Sequence, residues 1–253
     1  MSDGLANKVA VITGASSGLG RATALALAAR GARLSLLARS QEALAQVAEQ
    51  AMAAGAGETA FYPCDVRDET AVGQSVTATL ERFGRLDVLI NSAGLSLNGE
   101  VDGYALEDWR TVIETNLTGT FLTCRAVLPQ MKRQRAGEII NISSGAGRNG
   151  IKQMAAYCAS KFGVIGFTES LALEVRNHNI RVSTLLPGSV ATDFSRVAKR
   201  QERDETADIG YSMTPEEVAS IIVAMLEQPR QAWTSEVVLR PLNMELRRSY
   251  TQK

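Results

Sequence analysis

Short apolar or β-branched runs alternate along the chain with longer segments of helical pattern. The runs cover 8–13 (KVAVIT), 33–38 (RLSLLA), 59–63 (TAFYP), 86–91 (LDVLIN), 138–143 (EIINIS), 181–186 (RVSTLL) and 236–240 (EVVLR). Helical patterns fill 18–30, 41–54, 69–83, 107–133, 154–177 and 215–227. Strand and helix in strict alternation read as repeated βαβ units, which pack as a parallel sheet between helical layers. The pattern predicts an α/β, Rossmann-like, doubly wound fold with a seven-stranded, mainly parallel sheet. No Pro/Gly/Ser-rich linker, charge block or internal repeat interrupts it, so 1–253 is expected to be a single domain. Residues 189–213 carry no obvious element, and an irregular stretch of that length predicts a substrate lid, the alternative being a solvated short helix in KRQERDETAD.

Composition narrows the classes of function. Of 253 residues, 45% are hydrophobic and 21% charged, an ordinary globular balance. Lys plus Arg and Asp plus Glu both total 27, and the pI is near 6.6, so the basic footprint needed for nucleic acid or an anionic membrane surface is missing. Cys64, Cys124 and Cys158 are odd in number and far apart, without a C-x-x-C pair. That argues against a disulfide framework or a zinc site and for a reducing cytoplasm. The start lacks a signal-peptide pattern, and no apolar run approaches the roughly 20 residues of a membrane span. The single histidine, His178, lies in the polar stretch RNHNIRV and reads as a turn residue, which leaves proton chemistry to another residue type.

TGASSGLG, Thr13 to Gly20, joins the first strand to the first helix. Gly14 allows a tight turn, Gly18 lets the backbone approach a pyrophosphate, and Gly20 permits close packing of helix on strand. The amides opening the helix face the anion, with Ser16 and Ser17 able to add hydroxyls. An acid at the end of the second strand would take the ribose 2′-hydroxyl of NAD, but Ala38, Arg39 and Ser40 stand there. An arginine suits a 2′-phosphate, so Arg39 favours NADP over NAD.

With these motifs in view, the chain resembles the short-chain dehydrogenase/reductase family over essentially its whole length. The resemblance rests on TGASSGLG, Asp65-Val66, NSAG at 91–94, NLTG at 116–119, Ser144 in NISSGAG, YCASK at 157–161 and PGSVAT at 187–192. It implies an NADP-dependent oxidoreductase acting on a carbonyl or secondary alcohol, with a 3-oxoacyl thioester as one familiar substrate; a nucleotide-sensing module without turnover is the alternative. It implies Tyr157 as proton donor or acceptor, Lys161 as its partner, Ser144 on the substrate oxygen, and Asn116 in a helix distortion whose water relays protons to the lysine. The implied cofactor contacts are Gly14, Ser16, Ser17, Gly18, Leu19, Gly20 and Arg39, then Asp65 and Val66 toward adenine, and Asn91, Ala93 and Gly94 under the ribose. Pro187, Gly188, Val190 and Thr192 surround the nicotinamide, where Tyr157 and Lys161 also touch it. No metal is implied, and the long helices pair in a dimer or tetramer. Ser92 departs from the family's commoner asparagine, and the tail lacks the glycine pair that many members carry after the last strand.

Residues four apart share a helix face, so Tyr157 and Lys161 point the same way. A free phenol titrates near 10, and ionising it at neutrality requires a shift of roughly 3 units, or about 4 kcal/mol. Two unit charges about 4.5 Å apart at an effective dielectric near 20 interact by roughly 3.7 kcal/mol. Lys161 alone is therefore expected to acidify Tyr157 almost sufficiently. Ser144 precedes Tyr157 by 13 positions, and strand alternation turns its rival Ser143 to the other face. Met154 is a pocket candidate; Cys158 reads as a small buried residue.

Overall fold

Strand β1 (Val9–Thr13) is buried along its whole length, and its side chains alternate between two cores. Ala10 and Ile12 enter one cluster with Leu27, Leu44 and Ile222, while Val11 enters the other with Val76, Val127 and Leu171. The first cluster comes from helices α1 (Gly18–Ala28), α2 (Gln41–Ala53) and α7 (Pro215–Leu226). The second comes from α3 (Glu69–Phe83), α5 (Gly119–Gln134) and α6 (Ala155–Val175). α4 (Leu106–Ile113) precedes α5 and packs on α6. Burying each such aliphatic side chain contributes about 1.5–3 kcal/mol, and the period of two along β1 lets one strand anchor both helical layers. The computed structural model describes residues 4–192, 194, 212–229 and 231–242.

The remaining strands are β2 (Arg33–Ala38), β3 (Glu58–Pro63), β4 (Val88–Asn91), β5 (Gly137–Ile142), β6 (Ile180–Pro187) and β7 (Glu236–Leu239). All seven form one parallel sheet in the order β3-β2-β1-β4-β5-β6-β7, the Rossmann-like arrangement that the alternation predicts. The chain winds outward from β1 to β3, then crosses back to β4. The reversal opens a crevice at the carboxyl ends of β1 and β4. There the Thr13 hydroxyl accepts hydrogen bonds from the amides of Ser92 and Ala93, both at 3.1 Å, and ties the two strand ends together.

The helix predicted over 107–133 is not continuous. Between α4 and α5 the chain makes a π-helical turn, Glu114–Thr118. Asn116, fully buried in that turn, bonds both ways to the Leu95 backbone: its amide donates to the carbonyl at 2.9 Å, and its Oδ1 accepts the N–H at 2.8 Å. These bonds to a neighbouring loop stabilise a widened turn that helical periodicity cannot foretell. Of the stretch expected to form a lid, Ser189 to Thr192 meets Met213: Val190 bridges it, and the Ala191 amide donates to its carbonyl at 2.8 Å. Phe194 and Ser212 are also described; the rest of 189–213, and with it the lid expectation, lies outside the described residues, as does the tail from 243. Among the described residues, no helix is long and apolar enough to cross a membrane.

Candidate active site

The glycine-rich turn owes its shape to backbone crowding. Gly14 adopts φ +65°, and a Cβ there would lie 2.8 Å from the Ala93 Cα. A Cβ on Gly20 would lie 2.2 Å from the Gly14 carbonyl oxygen, so the start of α1 can fold back onto β1 only without one. Ser17, in extended conformation before α1, does not cap the helix with its side chain. The first amides of α1 are left for an anion, on the positive end of the helix dipole.

This turn forms one wall of a cavity of about 450 Å³, to which it contributes Gly14, Ser16, Ser17, Gly18, Leu19 and Gly20. Arg39, Asp65 and Val66 line one end, and Ala93 and Gly94 the middle. Ser144, Tyr157, Lys161, Pro187, Gly188, Val190 and Thr192 line the other end. The sheet thus brings together residues from six strand ends across more than 170 positions of sequence, as expected of a crevice at a topological reversal.

At the first end, Arg39 follows β2 and is exposed. Asp65 is gripped by Arg67, whose Nε donates to both carboxylate oxygens at 3.0 Å and whose Nη2 donates to Oδ2 at 2.6 Å. The Arg67 guanidinium holds the Asp65 carboxyl below the usual carboxylate range, and Arg39 adds a weaker pull. Two cations therefore flank one acid at this end of the cavity.

The other end is dry. Tyr157 and Lys161 are 8% and 5% exposed. Burial pushes the Tyr157 phenol up to about 12, against the hydrogen bond from Ser144, which acts to lower it. Burial likewise pushes Lys161 down to about 8. The Lys161 ammonium donates to the Ile142 carbonyl at 2.8 Å and lies 5.7 Å from the centre of the Tyr157 ring. The expectation that Lys161 acidifies Tyr157 is not met here: burial is the largest influence on both groups, raising the phenol and lowering the ammonium, and the phenol stays protonated at neutral pH. The two serines divide their work. Ser144 faces the phenol, while the Ser143 hydroxyl donates to the Lys161 carbonyl at 2.9 Å and moors α6 to the end of β5.

Two expected site residues sit behind the cavity. Asn91, expected under the ribose, is 3% exposed, donates to Asn141 at 2.9 Å and accepts from Thr123 at 2.6 Å. Its amide is turned into the layer between sheet and helices, and Ser92, the next residue, lines the cavity instead. Asn116 lies in the helix distortion expected of it, but its second N–H donates to Ser160 at 3.0 Å. With its side-chain donors and acceptor engaged by protein groups, Asn116 joins the Leu95 loop to α6. Ser160 in turn donates to the Tyr157 carbonyl at 2.7 Å, fixing the first turn of α6. Met154 packs on the apolar cluster around Tyr157, the Cys158 thiol is buried, and His178 is half-buried in a turn after α6.

Several lining residues escape sequence reasoning. Arg67, Leu95, Thr115 and Phe194 all face the cavity. Arg67 stands two positions after Asp65, a spacing at which a turn lets the side chain grip the acid, so it carried a readable signal. Leu95, Thr115 and Phe194 carried none, because loop paths bring them in.

The comparisons with known proteins agree with this geometry. Residues 8–203 match the model of the short chain dehydrogenase family. A 3-oxoacyl-[acyl-carrier-protein] reductase of Synechocystis sp. is 39% identical over 230 residues, covering 90% of this chain and 93% of that protein. A trans-4-hydroxycyclohexanecarboxylate dehydrogenase of Sinomonas cyclohexanicum is 43% identical over 205 residues, 79% of each chain. Among solved structures, an alcohol dehydrogenase from the archaeon Thermococcus sibiricus, complexed with 5-hydroxy-NADP, superposes with a TM-score of 0.84 at 30% identity, over 93% of this chain and 97% of that one. The crevice at the sheet's reversal, its glycine turn and its Tyr157–Lys161 pair therefore belong to an oxidoreductase, and the chain belongs to the short-chain dehydrogenase family.

Proposed function

We propose that this oxidoreductase uses NADP(H) and moves a hydride between the nicotinamide and a carbonyl or secondary alcohol, with Tyr157 exchanging the proton. The observation that carries the reading is the pairing of the Tyr157 and Ser144 hydroxyls in one cavity with a phosphate-binding turn. NADP rather than NAD is supported by Arg39 and Arg67 at the far end, by the lack of an acid among residues 38–40, and by the 5-hydroxy-NADP bound to the Thermococcus sibiricus relative. The uncapped amides of α1, with Ser16 and Ser17, would hold the pyrophosphate, and Arg39 the 2′-phosphate. Asp65 and Val66 would flank the adenine, Ala93 and Gly94 the ribose, and Pro187, Gly188, Val190 and Thr192 the nicotinamide. NADPH, when bound, supplies the hydride.

The chain's own groups then handle the oxygen. In reduction, Ser144 and Tyr157 both donate hydrogen bonds to the carbonyl oxygen and polarise it. A phenol held protonated by burial is the form that can donate the proton as the alkoxide develops. Lys161, brought down to about 8, exchanges protons near neutrality and is the group placed to resupply it. Asn116, Ser160 and Ser143 hold the start of α6 in position. One domain carries both the cofactor and the chemistry. Its three cysteines are free and buried, as suits a reducing cytoplasm. Phe121, Phe162 and Leu173 stand exposed on α5 and α6, the surface through which a homo-oligomer would form; its mass in solution checks that.

The test is absorbance at 340 nm with the purified chain, NADPH or NADH, and a panel of ketones. NADPH consumption faster than NADH consumption is expected. NADPH binding without consumption across the panel would replace the enzyme with a nucleotide-sensing module.

A further inference from the structure

We infer that the substrate half of the crevice accepts ketones carried on an apolar carbon skeleton and discriminates against polyhydroxylated ketones. The inference rests on the reductase reading above and names its substrate class. A third apolar cluster, separate from the two cores of the sheet, surrounds the Tyr157 ring. Leu95, Leu97, Tyr104, Met154 and Phe194 pack against it from four separate parts of the chain and remain only partly buried. A core that needed these side chains only for stability would have closed over them. Leu95 and Phe194 line the cavity itself, and the Phe194 ring stands 5.6 Å from that of Tyr157 with the planes at 55°.

The polar atoms of this shell face away from a substrate. The Tyr104 hydroxyl donates to the Leu97 carbonyl at 2.6 Å, and the Cys158 thiol to the Asn149 carbonyl at 3.7 Å. The hydroxyl of Ser96, fully buried between the two leucines, donates to the Asn98 side-chain oxygen at 3.0 Å. The apolar side chains packed on the Tyr157 ring offer no further donor or acceptor beyond these bonded groups. Ser144 and Tyr157 supply the polar contacts, and both converge on the reacting oxygen. A hydroxyl elsewhere on the substrate would leave water without gaining a partner, whereas CH₂ groups in the same places would be transferred out of water favourably.

Two matched pairs of ketones separate these outcomes: cyclohexanone against its pentahydroxylated counterpart inosose, and butan-2-one against erythrulose. The full chain with saturating NADPH is expected to show kcat/KM at least ~100-fold higher for the apolar member of each pair, since an apolar pocket rejects a single added hydroxyl by up to about 100-fold. Hydroxyls beside a carbonyl raise its intrinsic reactivity, so the comparison is weighted against the inference. Leu95→Asn, which places an amide on the cavity wall, should narrow the ratio at least ~3-fold through the apolar member. Comparable or faster reduction of the hydroxylated members overturns the inference and leaves the reductase reading standing. A ratio unmoved by Leu95→Asn removes the wall as its cause. Turnover of none of the four, with NADPH bound, overturns the reductase reading and the inference together.

Discussion

At one end of the crevice, Arg39 is exposed and Asp65 and Arg67 keep 30% and 37% of their side-chain surface in water. At the other, Lys161 and Tyr157 are 5% and 8% exposed. The contrast separates two uses of charge. Charges in contact with solvent are screened, and a pair there is worth about 0–1 kcal/mol, enough to choose between two cofactors that differ by one phosphate. Charges out of water cost several kcal/mol to create, so burial itself sets which form of Tyr157 and Lys161 exists at a given pH. Selectivity sits at the wet end because it must be adjustable. Proton transfer sits at the dry end because it needs groups whose protonation is controlled.

Removing the one hydroxyl that the dry end aims at the substrate should have the largest effect. Tyr157→Phe keeps the ring that packs against Phe194 and the surrounding cluster. Its kcat for ketone reduction is expected to fall by ~100-fold to ~10,000-fold, the usual contribution of a positioned general acid. NADPH affinity, set mostly at the other end, should change less than about 3-fold. Rapid reduction by the variant would assign the proton to another group.

The next effect is read in stability. The folded pKa of Lys161, about 8, lies below its ordinary 10.5. The folded chain therefore binds fewer protons here than the unfolded chain between those values. Stability linked to this group is present above about 10.5 and lost as pH falls through about 8. The difference amounts to about 3 kcal/mol, at 1.36 kcal/mol per unit. Lys161→Met has no charge to bury. In urea titrations, its stability relative to the parent chain should be more favourable at pH 7 than at pH 10.5 by up to about 3 kcal/mol. The Ile142 carbonyl loses a donor in the variant at both pH values, so only the change with pH is diagnostic. Tyr157, raised to about 12, loses its linked stability between 10 and 12 in both chains alike. A pH-independent gap would mean that Lys161 keeps its ordinary affinity for protons.

The same contrast explains what could be read in advance. Every strand was legible to within two residues at each end, because a run of buried apolar residues is a local property. The four-residue spacing of Tyr157 and Lys161, and Arg39 after β2, are local as well. The π-helical turn was not legible in periodicity and was expected only through the family resemblance, since it depends on Asn116 reaching the Leu95 backbone 21 positions away. Nor was the inward turn of Asn91, whose partners Asn141 and Thr123 arrive with β5 and α5. The sign of the Tyr157 shift failed for the same reason: spacing shows that a lysine is near, but only the packed shell shows how little water either group retains.

The smallest effect belongs to the wet end and tests it alone. Arg39→Asp exchanges the rim cation for a carboxylate, which repels a 2′-phosphate and can accept a hydrogen bond from a ribose 2′-hydroxyl. The ratio of kcat/KM for NADPH over NADH should fall ~10-fold or more, while kcat at saturating NADH stays close to that of the parent chain, because nothing around Tyr157 moves. Since the rim is in contact with water, raising ionic strength from about 0.05 to 0.5 M should also weaken the parent chain's preference for NADPH, as the screening length shortens from over 10 Å to a few ångströms. The buried pair should be indifferent to that salt. If the preference survives both the substitution and the salt, the phosphate is not held by Arg39. The contact then passes to Arg67, whose guanidinium is pre-positioned by Asp65 and does not need Arg39 to stay in place.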